Sequence, residues 1–367
     1  MQTAGPLAAR TQTEERTMEK NMRQLSDGID RRNFLKLSGM LGLGLTAAVA
    51  IPASAEAVKF DRKLYKVSET RVAMGTYVSM TLLHTSRDQA QEAICKAFEE
   101  MDRLTREMSR FDQSTAIAQL NREGRLADVP PDMVNVVGRA LAHYKISNGA
   151  FDISVKPVVD LFKNRFSGKR PSPPSTKEMA EALKLVDASR IQLKGNSISF
   201  NRPGMGITLD GIAKGYIVDK ASDKLSGLGI ANFLINAGGD IRTAGRRQDG
   251  KPWTIAVQDP SKGQHYPDKI KMTNGAIATS GNYEVYFDRE KMFHHIVNPR
   301  NGSSPNASNS VSILAKTAMD ADALSTSVFV MQPEKGIRFV NSLPGCECLL
   351  LVGKGNRKIR STGWKSA

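Results

Sequence analysis

After residue 55 the hydrophobic pattern of this chain changes period repeatedly and never settles into strand–helix–strand alternation. Residues 66–84 read as strand, with Val72, Met74, Tyr77, Ser79 and Thr81 among alternating apolar positions and Gly75 interrupting them. Residues 86–108 switch to helical spacing through Ala90, Ile94, Ala97, Phe98, Met101 and Leu104. A second helix is expected over 130–148, opened after Pro131 and closed at Gly149. The Pro/Ser-rich stretch 170–176 reads as a surface loop, and short strands follow near 190–200 around the turn Gly195-Asn196. A helix over 214–228 ends at Gly227 or Gly229. The buried strand Phe233-Leu234-Ile235-Asn236 then stops at Gly238-Gly239. Strands near 253–258, 275–279 and 310–315 and a helix over 318–331, followed by Pro333, complete a β-rich second half. No unit repeats and no long linker intervenes. Mixed elements without regular βαβ alternation predict an α+β fold.

Residues 1–55 stand apart. Asp30-Arg31-Arg32-Asn33-Phe34-Leu35-Lys36 sets paired arginines before an apolar, Gly-rich stretch over 37–51, which ends at Ala53-Ser54-Ala55. A charged segment, a short apolar segment and a small-residue cleavage site make a secretory signal, and the arginine pair selects the twin-arginine route. The apolar run is too short and Gly-rich to span about 30 Å of hydrocarbon comfortably. The expectation is a signal over 1–55 and a mature domain over 56–367, periplasmic and soluble. No cysteine stands at a lipoprotein-type cleavage position after the signal, which argues against a lipid anchor.

The formal charge is +15; setting aside the seven Lys/Arg and five Asp/Glu of residues 1–55 leaves the mature part at about +13. That balance suits an anionic ligand, a membrane surface or an acidic partner, and it equally suits a generally basic solvated surface. No nucleic-acid motif accompanies it, and export argues against nucleic acid as a partner. Cys95, Cys346 and Cys348 have no metal-site spacing; free thiols are expected, with a disulfide as the alternative in an oxidising compartment.

Four segments carry chemistry. In Thr317-Ala318-Met319-Asp320-Ala321-Asp322-Ala323-Leu324-Ser325-Thr326, Asp322 and Thr326 lie four apart and share a helix face. A carboxylate and a hydroxyl there suit Mg²⁺, but the segment also fits a plain helix cap with Thr bonding back to a carbonyl. Gly206-Ile207-Thr208-Leu209-Asp210-Gly211-Ile212-Ala213-Lys214-Gly215-Tyr216 is a strand-to-helix turn whose amides could hold phosphate, with Lys214 adding a cation. It also fits a tight connection that simply needs small residues. In Phe293-His294-His295-Ile296-Val297-Asn298-Pro299-Arg300-Asn301-Gly302 the adjacent histidines point to opposite faces if extended, so one at most enters a given site. Asn236-Ala237-Gly238-Gly239-Asp240 ends a strand in two glycines, through close approach of a ligand or through a bulge.

Together these segments resemble the ApbE-type FAD:protein FMN transferase family. The resemblance runs in order through Met74-Gly75-Thr76, Met108-Ser109-Arg110-Phe111-Asp112 with Ser114, and Gly149-Ala150-Phe151-Asp152-Ile153-Ser154. It continues through 209–216, 236–240, Trp253 with Asp259-Pro260, Ala278-Thr279-Ser280-Gly281, 295–302 and 321–326, nearly the whole mature chain. It implies a single compact, T-fold-related domain with mixed β-sheets and flanking helices. It also implies cleavage of the FAD pyrophosphate, transfer of FMN to a Thr or Ser hydroxyl of a partner protein, and release of AMP. Mg²⁺ would be held by Asp322, Thr326 and the Ala213 carbonyl, with Ser325 as a further contributor. FAD contacts would fall on Met74, Phe111, Ala150, Phe151, Asp152, Asp210, Lys214, Tyr216 and Ile296. His295 matches a histidine tied to the family's chemistry and is the expected base at the acceptor hydroxyl, with Asp322 sharing the role.

Three departures from the family pattern stand out. Thr208-Leu209-Asp210-Gly211 replaces Asp-Leu-Gly-Gly, Asn298 and Asn301 replace Asp and Thr, and Lys156 stands where glycine is frequent. The Thr-Leu-polar-Gly variant is similar to the subgroup serving nitrous-oxide reductase maturation, which implies a membrane-bound flavoprotein partner with an exported FMN-acceptor domain. Two other functions fit the same residues: Mg²⁺-dependent FAD hydrolysis to FMN and AMP, and non-catalytic flavin carriage. Asp322 and Thr326 speak against the carrier.

Overall fold

The alternation in residues 64–84 folds as a hairpin, and that hairpin seeds one half of a long antiparallel sheet. The computed structural model describes residues 56–61, 64–110, 112–167, 170–261, 266–282, 287 and 293–367. The twin-arginine segment, its cleavage site and Phe111 lie outside them. The strands are β1 (Glu56–Asp61), β2 (Leu64–Ala73), β3 (Thr76–His84), β4 (Arg125–Leu126), β5 (Ile191–Lys194), β6 (Ser197–Phe200) and β7 (Asn232–Ala237). They continue with β8 (Asp240–Ala244), β9 (Trp253–Val257), β10 (Asp268–Met272), β11 (Gly275–Gly281), β12 (Ser310–Ala315), β13 (Glu347–Val352) and β14 (Arg357–Arg360). The helices are α1 (Arg87–Met108), α2 (Ala116–Glu123), α3 (Pro131–Ile146), α4 (Lys156–Ser167), α5 (Thr176–Leu183), α6 (Ala213–Gly227), α7 (Ala318–Val330) and α8 (Pro333–Asn341).

Among the described residues nine strands form one sheet in the order β1-β2-β3-β7-β8-β11-β12-β13-β14. Every neighbouring pair in it runs antiparallel, with no βαβ crossover, in keeping with an α+β fold. One face, through Val78, Met80, Leu82, Phe233, Ile235, Ala278, Ile313 and Leu350, packs under α1, α6 and α7. The opposite face, through Ile241, Ile277, Leu349 and Leu351, is covered by the β9–β10 ribbon and Trp364. Burial on both faces explains why Cys348-Leu349-Leu350-Leu351-Val352 is an unbroken apolar run although its neighbours are antiparallel. A small sheet in the order β4-β6-β5 completes the set.

Local chemistry fixes the helix ends. Ser86 caps α1 by accepting from the Gln89 N–H at 3.3 Å. Four helices escape the periodic pattern. The α2 helix is short and bounded by the Thr115 cap and the left-handed Gly124. The α5 helix starts in the stretch read as loop, where Ser175 and Glu178 form a reciprocal capping box. Pro333, read as a helix stop, opens α8, because proline is well suited to the first helical turn. The α4 helix buries Val158, Val159 and Phe162 in a satellite cluster with Val297. The three cysteines are free thiols. Burial pushes the Cys348 thiol up to about 12, which keeps it protonated and unreactive at neutral pH.

Candidate active site

The site forms where the start of α6 meets the start of α7. Gly215 makes that crossing possible: a Cβ there would lie 2.3 Å from the Ala318 carbonyl oxygen. Asp219, one turn along α6, accepts from the Ala318 and Met319 N–H groups at 2.9 and 2.8 Å. It thereby satisfies open amides of the first turn of α7. Thr317 accepts from the Asp320 N–H and caps the same end. Asp320 is bonded in turn by Arg139 and His143 of α3. Burial would raise its pKa, but the hydrogen bonds from His143, Arg139 and Thr317 outweigh burial and hold it well below the usual carboxylate range.

With both helices locked, Asp322 faces the Gly215 N–H and accepts from it at 3.1 Å. Asp322 and Ser325 are buried, and Thr326 is half-buried one turn on. The Ser325 hydroxyl donates to the Asp322 carbonyl at 2.9 Å, so the Ser280 hydroxyl of β11, 2.8 Å away, donates to Ser325. Ser280 is also 3.4 Å from the Thr326 hydroxyl. Of the 206–216 turn, Gly211 lies against Thr326: a Cβ there would sit 3.1 Å from Thr326 Oγ1 and 3.3 Å from the Phe151 ring. One carboxylate, three hydroxyls and turn backbone thus converge.

Among the described residues, the electrostatics at Asp322 and Asp240 are dominated by buried carboxylates. Burial, then the charge of Asp240, raise the Asp322 carboxyl well above the usual carboxylate range, with Lys214 opposing. Burial also raises Asp240, against the pull of Lys214. Lys214 Nζ stands 3.4 Å from Asp240 Oδ2, an ion pair too poorly aligned to satisfy that oxygen as a hydrogen bond. Among the described residues, Lys214 is the cation whose charge acts on both buried carboxylates. A hard divalent cation is the group that such an oxygen-lined, anion-rich pocket suits.

The expected flavin contacts divide into two sets. Met74 and Gly75 form a two-residue hairpin turn with φ of 52° and 72°. A methionine in the left-handed region costs about 1 kcal/mol, and strain of this kind clusters at binding sites. The next hairpin, Gly238-Gly239, packs on it: a Cβ on Gly238 would strike Thr76 Oγ1 at 2.4 Å. Both glycines have positive φ, so tight turning and close approach by Thr76 account for the pair, and Asp240 follows directly into the pocket. Ala150 and Phe151 follow the left-handed Gly149, and the Phe151 N–H donates to Ser147 Oγ at 3.0 Å. The Phe151 ring lies beside Gly211.

Asp152 and Tyr216 have their polar atoms engaged within the chain. Asp152 Oδ1 accepts from the Ser154 N–H and hydroxyl, and Oδ2 accepts from the Ala188 N–H at 3.2 Å. The Tyr216 hydroxyl donates to Asp132 of α3 at 2.5 Å. The two histidines separate as an extended pair should. His294 is buried, edge-on to Phe329 of α7, and Nε2 donates to the Pro305 carbonyl at 2.7 Å. His295 is half-buried, and Ile296 returns to the main core.

This geometry meets the ordered motif series in a sequence match: the family model described as the ApbE family covers residues 74–350. The chain belongs to the ApbE family. An FAD:protein FMN transferase of Haemophilus influenzae is 33% identical over 239 residues, 63% of this chain and 67% of that protein. One of Vibrio cholerae is 33% identical over 234 residues, 63% of this chain and 68% of that protein. Among solved structures, the ApbE protein of Thermotoga maritima superposes with a TM-score of 0.73 at 30% identity, covering 82% of this chain and 97% of that one. The flavin transferase ApbE of Vibrio cholerae gives 0.70 at 27% identity, covering 82% and 98%.

Within this ApbE fold four residues join the site that the sequence did not single out: Arg110, Gly211, Asp240 and Ser280. All four lie in quoted motifs, but only tertiary packing brings them together: Ser280 meets α7 and Asp240 meets Lys214.

Proposed function

We propose that this chain is an FAD:protein FMN transferase that acts on a Thr or Ser hydroxyl of an exported partner flavoprotein. The acceptor oxygen forms a bond to the FMN phosphorus, the pyrophosphate bond breaks, AMP leaves with the bridging oxygen, and the hydroxyl proton passes to a base. The observation that carries this reading is the convergence of Asp322, Ser325, Thr326 and the Gly211 turn in a buried pocket dominated by carboxylates, within an ApbE fold.

Asp322, Ser325, Thr326 and a carbonyl of the 211–213 turn are the residues that would hold Mg²⁺. Bound there, Mg²⁺ would supply neutralisation of the pyrophosphate charge. Lys214, tied to Asp240, adds a fixed cation at the first turn of α6. Met74, Ala150 and Phe151 offer the apolar wall for the flavin, and Asp152 supports it by pinning the 150–154 loop to Ala188. His295 takes the acceptor proton, while His294 anchors its loop to α7. The twin-arginine motif supports a periplasm-facing acceptor. Among the described residues no helix is long and apolar enough to cross a membrane.

The test incubates the protein with FAD, Mg²⁺ and an FMN-acceptor domain and weighs the acceptor. A gain of one FMN supports the transferase. FAD recovered intact in the presence of Mg²⁺ would make the protein a carrier and end this reading.

A further inference from the structure

Arg110 emerges just past the C-terminus of α1, and Asp210 sits in the turn before α6, 100 residues away in sequence. The two meet as a bidentate pair: Nε reaches Oδ1 and Oδ2 at 3.2 and 3.1 Å, and Nη2 reaches Oδ2 at 2.7 Å. The Arg110 side chain is only 9% exposed, whereas Asp210 is 50% exposed. The cation is therefore built in, and its carboxylate partner faces solvent.

The pair borders the metal-ligand set. Asp210 precedes Gly211, the residue that touches Thr326, and its charge reaches Asp322. The surroundings are cationic. Lys163 is lowered first by burial and then by Arg110, with Lys156 adding repulsion and Asp210 and Asp160 opposing. Lys156 pairs with Asp160, which also lies 3.9 Å from Arg110 Nη1. Arg110, Lys156 and Lys163 thus cluster with Asp160 and Asp210 beside the pocket.

A half-exposed ion pair contributes little to stability. A preorganised guanidinium fork, however, matches a phosphate as well as it matches a carboxylate. We infer that Arg110 grips the diphosphate of the FAD site and that Asp210 holds the guanidinium fork in place until a diphosphate displaces it. Asp210 then acts on FAD through Arg110 rather than by direct contact. This inference rests on the transferase reading and extends it to a positioning residue and to the part of FAD it recognises.

The test is calorimetric binding of FAD and of ADP to the full chain in EDTA, so that no divalent ion contributes. Arg110→Ala should weaken both ligands by about tenfold or more, the loss expected for one bidentate charge-assisted contact. Arg110→Lys, which keeps the charge and loses the fork, should fall between. Asp210→Asn should bind both ligands several-fold more tightly, because a competing anion is gone. Melting temperatures of the variants near that of the parent would exclude misfolding. FAD and ADP affinities within twofold of the parent in Arg110→Ala would overturn the inference and leave the transferase reading standing. Weaker binding in Asp210→Asn would also overturn it, because Asp210 would then aid binding instead of yielding the guanidinium fork to the diphosphate. A parent protein that binds no FAD even after Mg²⁺ is restored would instead defeat the transferase reading itself.

Discussion

Gly215→Ala tests how the site is built. The added Cβ would lie 2.3 Å from the Ala318 oxygen, 2.6 Å from its carbonyl carbon and 2.8 Å from Met319 Cα. All three are backbone atoms, so no rotamer relieves the clash; α6 and α7 must part by about 1 Å to restore ordinary contact. Overpacking costs about 1–3 kcal/mol, and the better helix propensity of alanine returns somewhat under 1 kcal/mol. The net expectation is a loss of about 1–2 kcal/mol. Function should suffer more, because the same shift moves Asp322 away from the 211–215 turn, and a 1 Å misplacement can cost about a hundredfold in rate. Gly227→Ala, at the far end of the same helix, is the control. Its Cβ meets nothing within 4 Å, so it should be neutral or stabilising. Urea denaturation reads the stabilities, and mass spectrometry of an acceptor reads the transfer rate. A Gly215→Ala protein as stable and as fast as its parent would refute the close crossing and the dependence of Asp322 on it.

Other residues give separate tests. His294→Ala should lower the melting temperature, because it empties a buried site against Phe329, whereas His295→Ala should keep the fold and slow transfer. The reverse pattern would exchange their roles. Asp322→Asn should abolish Mg²⁺ binding in a titration without destabilising the metal-free protein at neutral pH. Its folded pKa is raised, so its ionised form opposes folding above the unfolded value of 3.8. A less stable variant that still binds Mg²⁺ would contradict this. Asp320 has the opposite sign: its folded pKa is depressed, so its contribution is present above the unfolded value of 3.8 and is lost as pH falls below it. Asp320→Asn should therefore be less stable than the parent at pH 7, with the gap closing in acid; a gap that stays constant down to low pH would count against the His143–Arg139 clasp.

Much of the scaffold is legible because its signals are local. The α1 stripe from Ala90 to Leu104 and the β3 alternation through Val78, Met80 and Leu82 announce one buried face each. Three of the missed helices are short and signalled at their starts: Thr115 caps α2, Ser175 with Glu178 marks α5, and Pro333 opens α8 instead of closing α7. In the site, the four-residue spacing of Asp322 and Thr326 was readable because one helix carries both. The rest depends on distant packing. Nothing near Arg110 in sequence shows that it meets Asp210, and nothing near Asp240 shows that a hairpin buries it beside Lys214. Nothing near Asp152 or Tyr216 in sequence shows their partners, the Ala188 N–H and Asp132. The glycines 211, 215 and 238 earn their identity only from what stands opposite them.

The stoichiometry of one reaction tests the central claim most directly. Protein, FAD, Mg²⁺ and an acceptor domain are incubated, and AMP, free FMN and flavinylated acceptor are each quantified over time. The account predicts one AMP for each acceptor that gains FMN, no free FMN, and no product from Asp322→Asn. AMP accompanied by equal free FMN, with the acceptor mass unchanged, would contradict it and make water the acceptor.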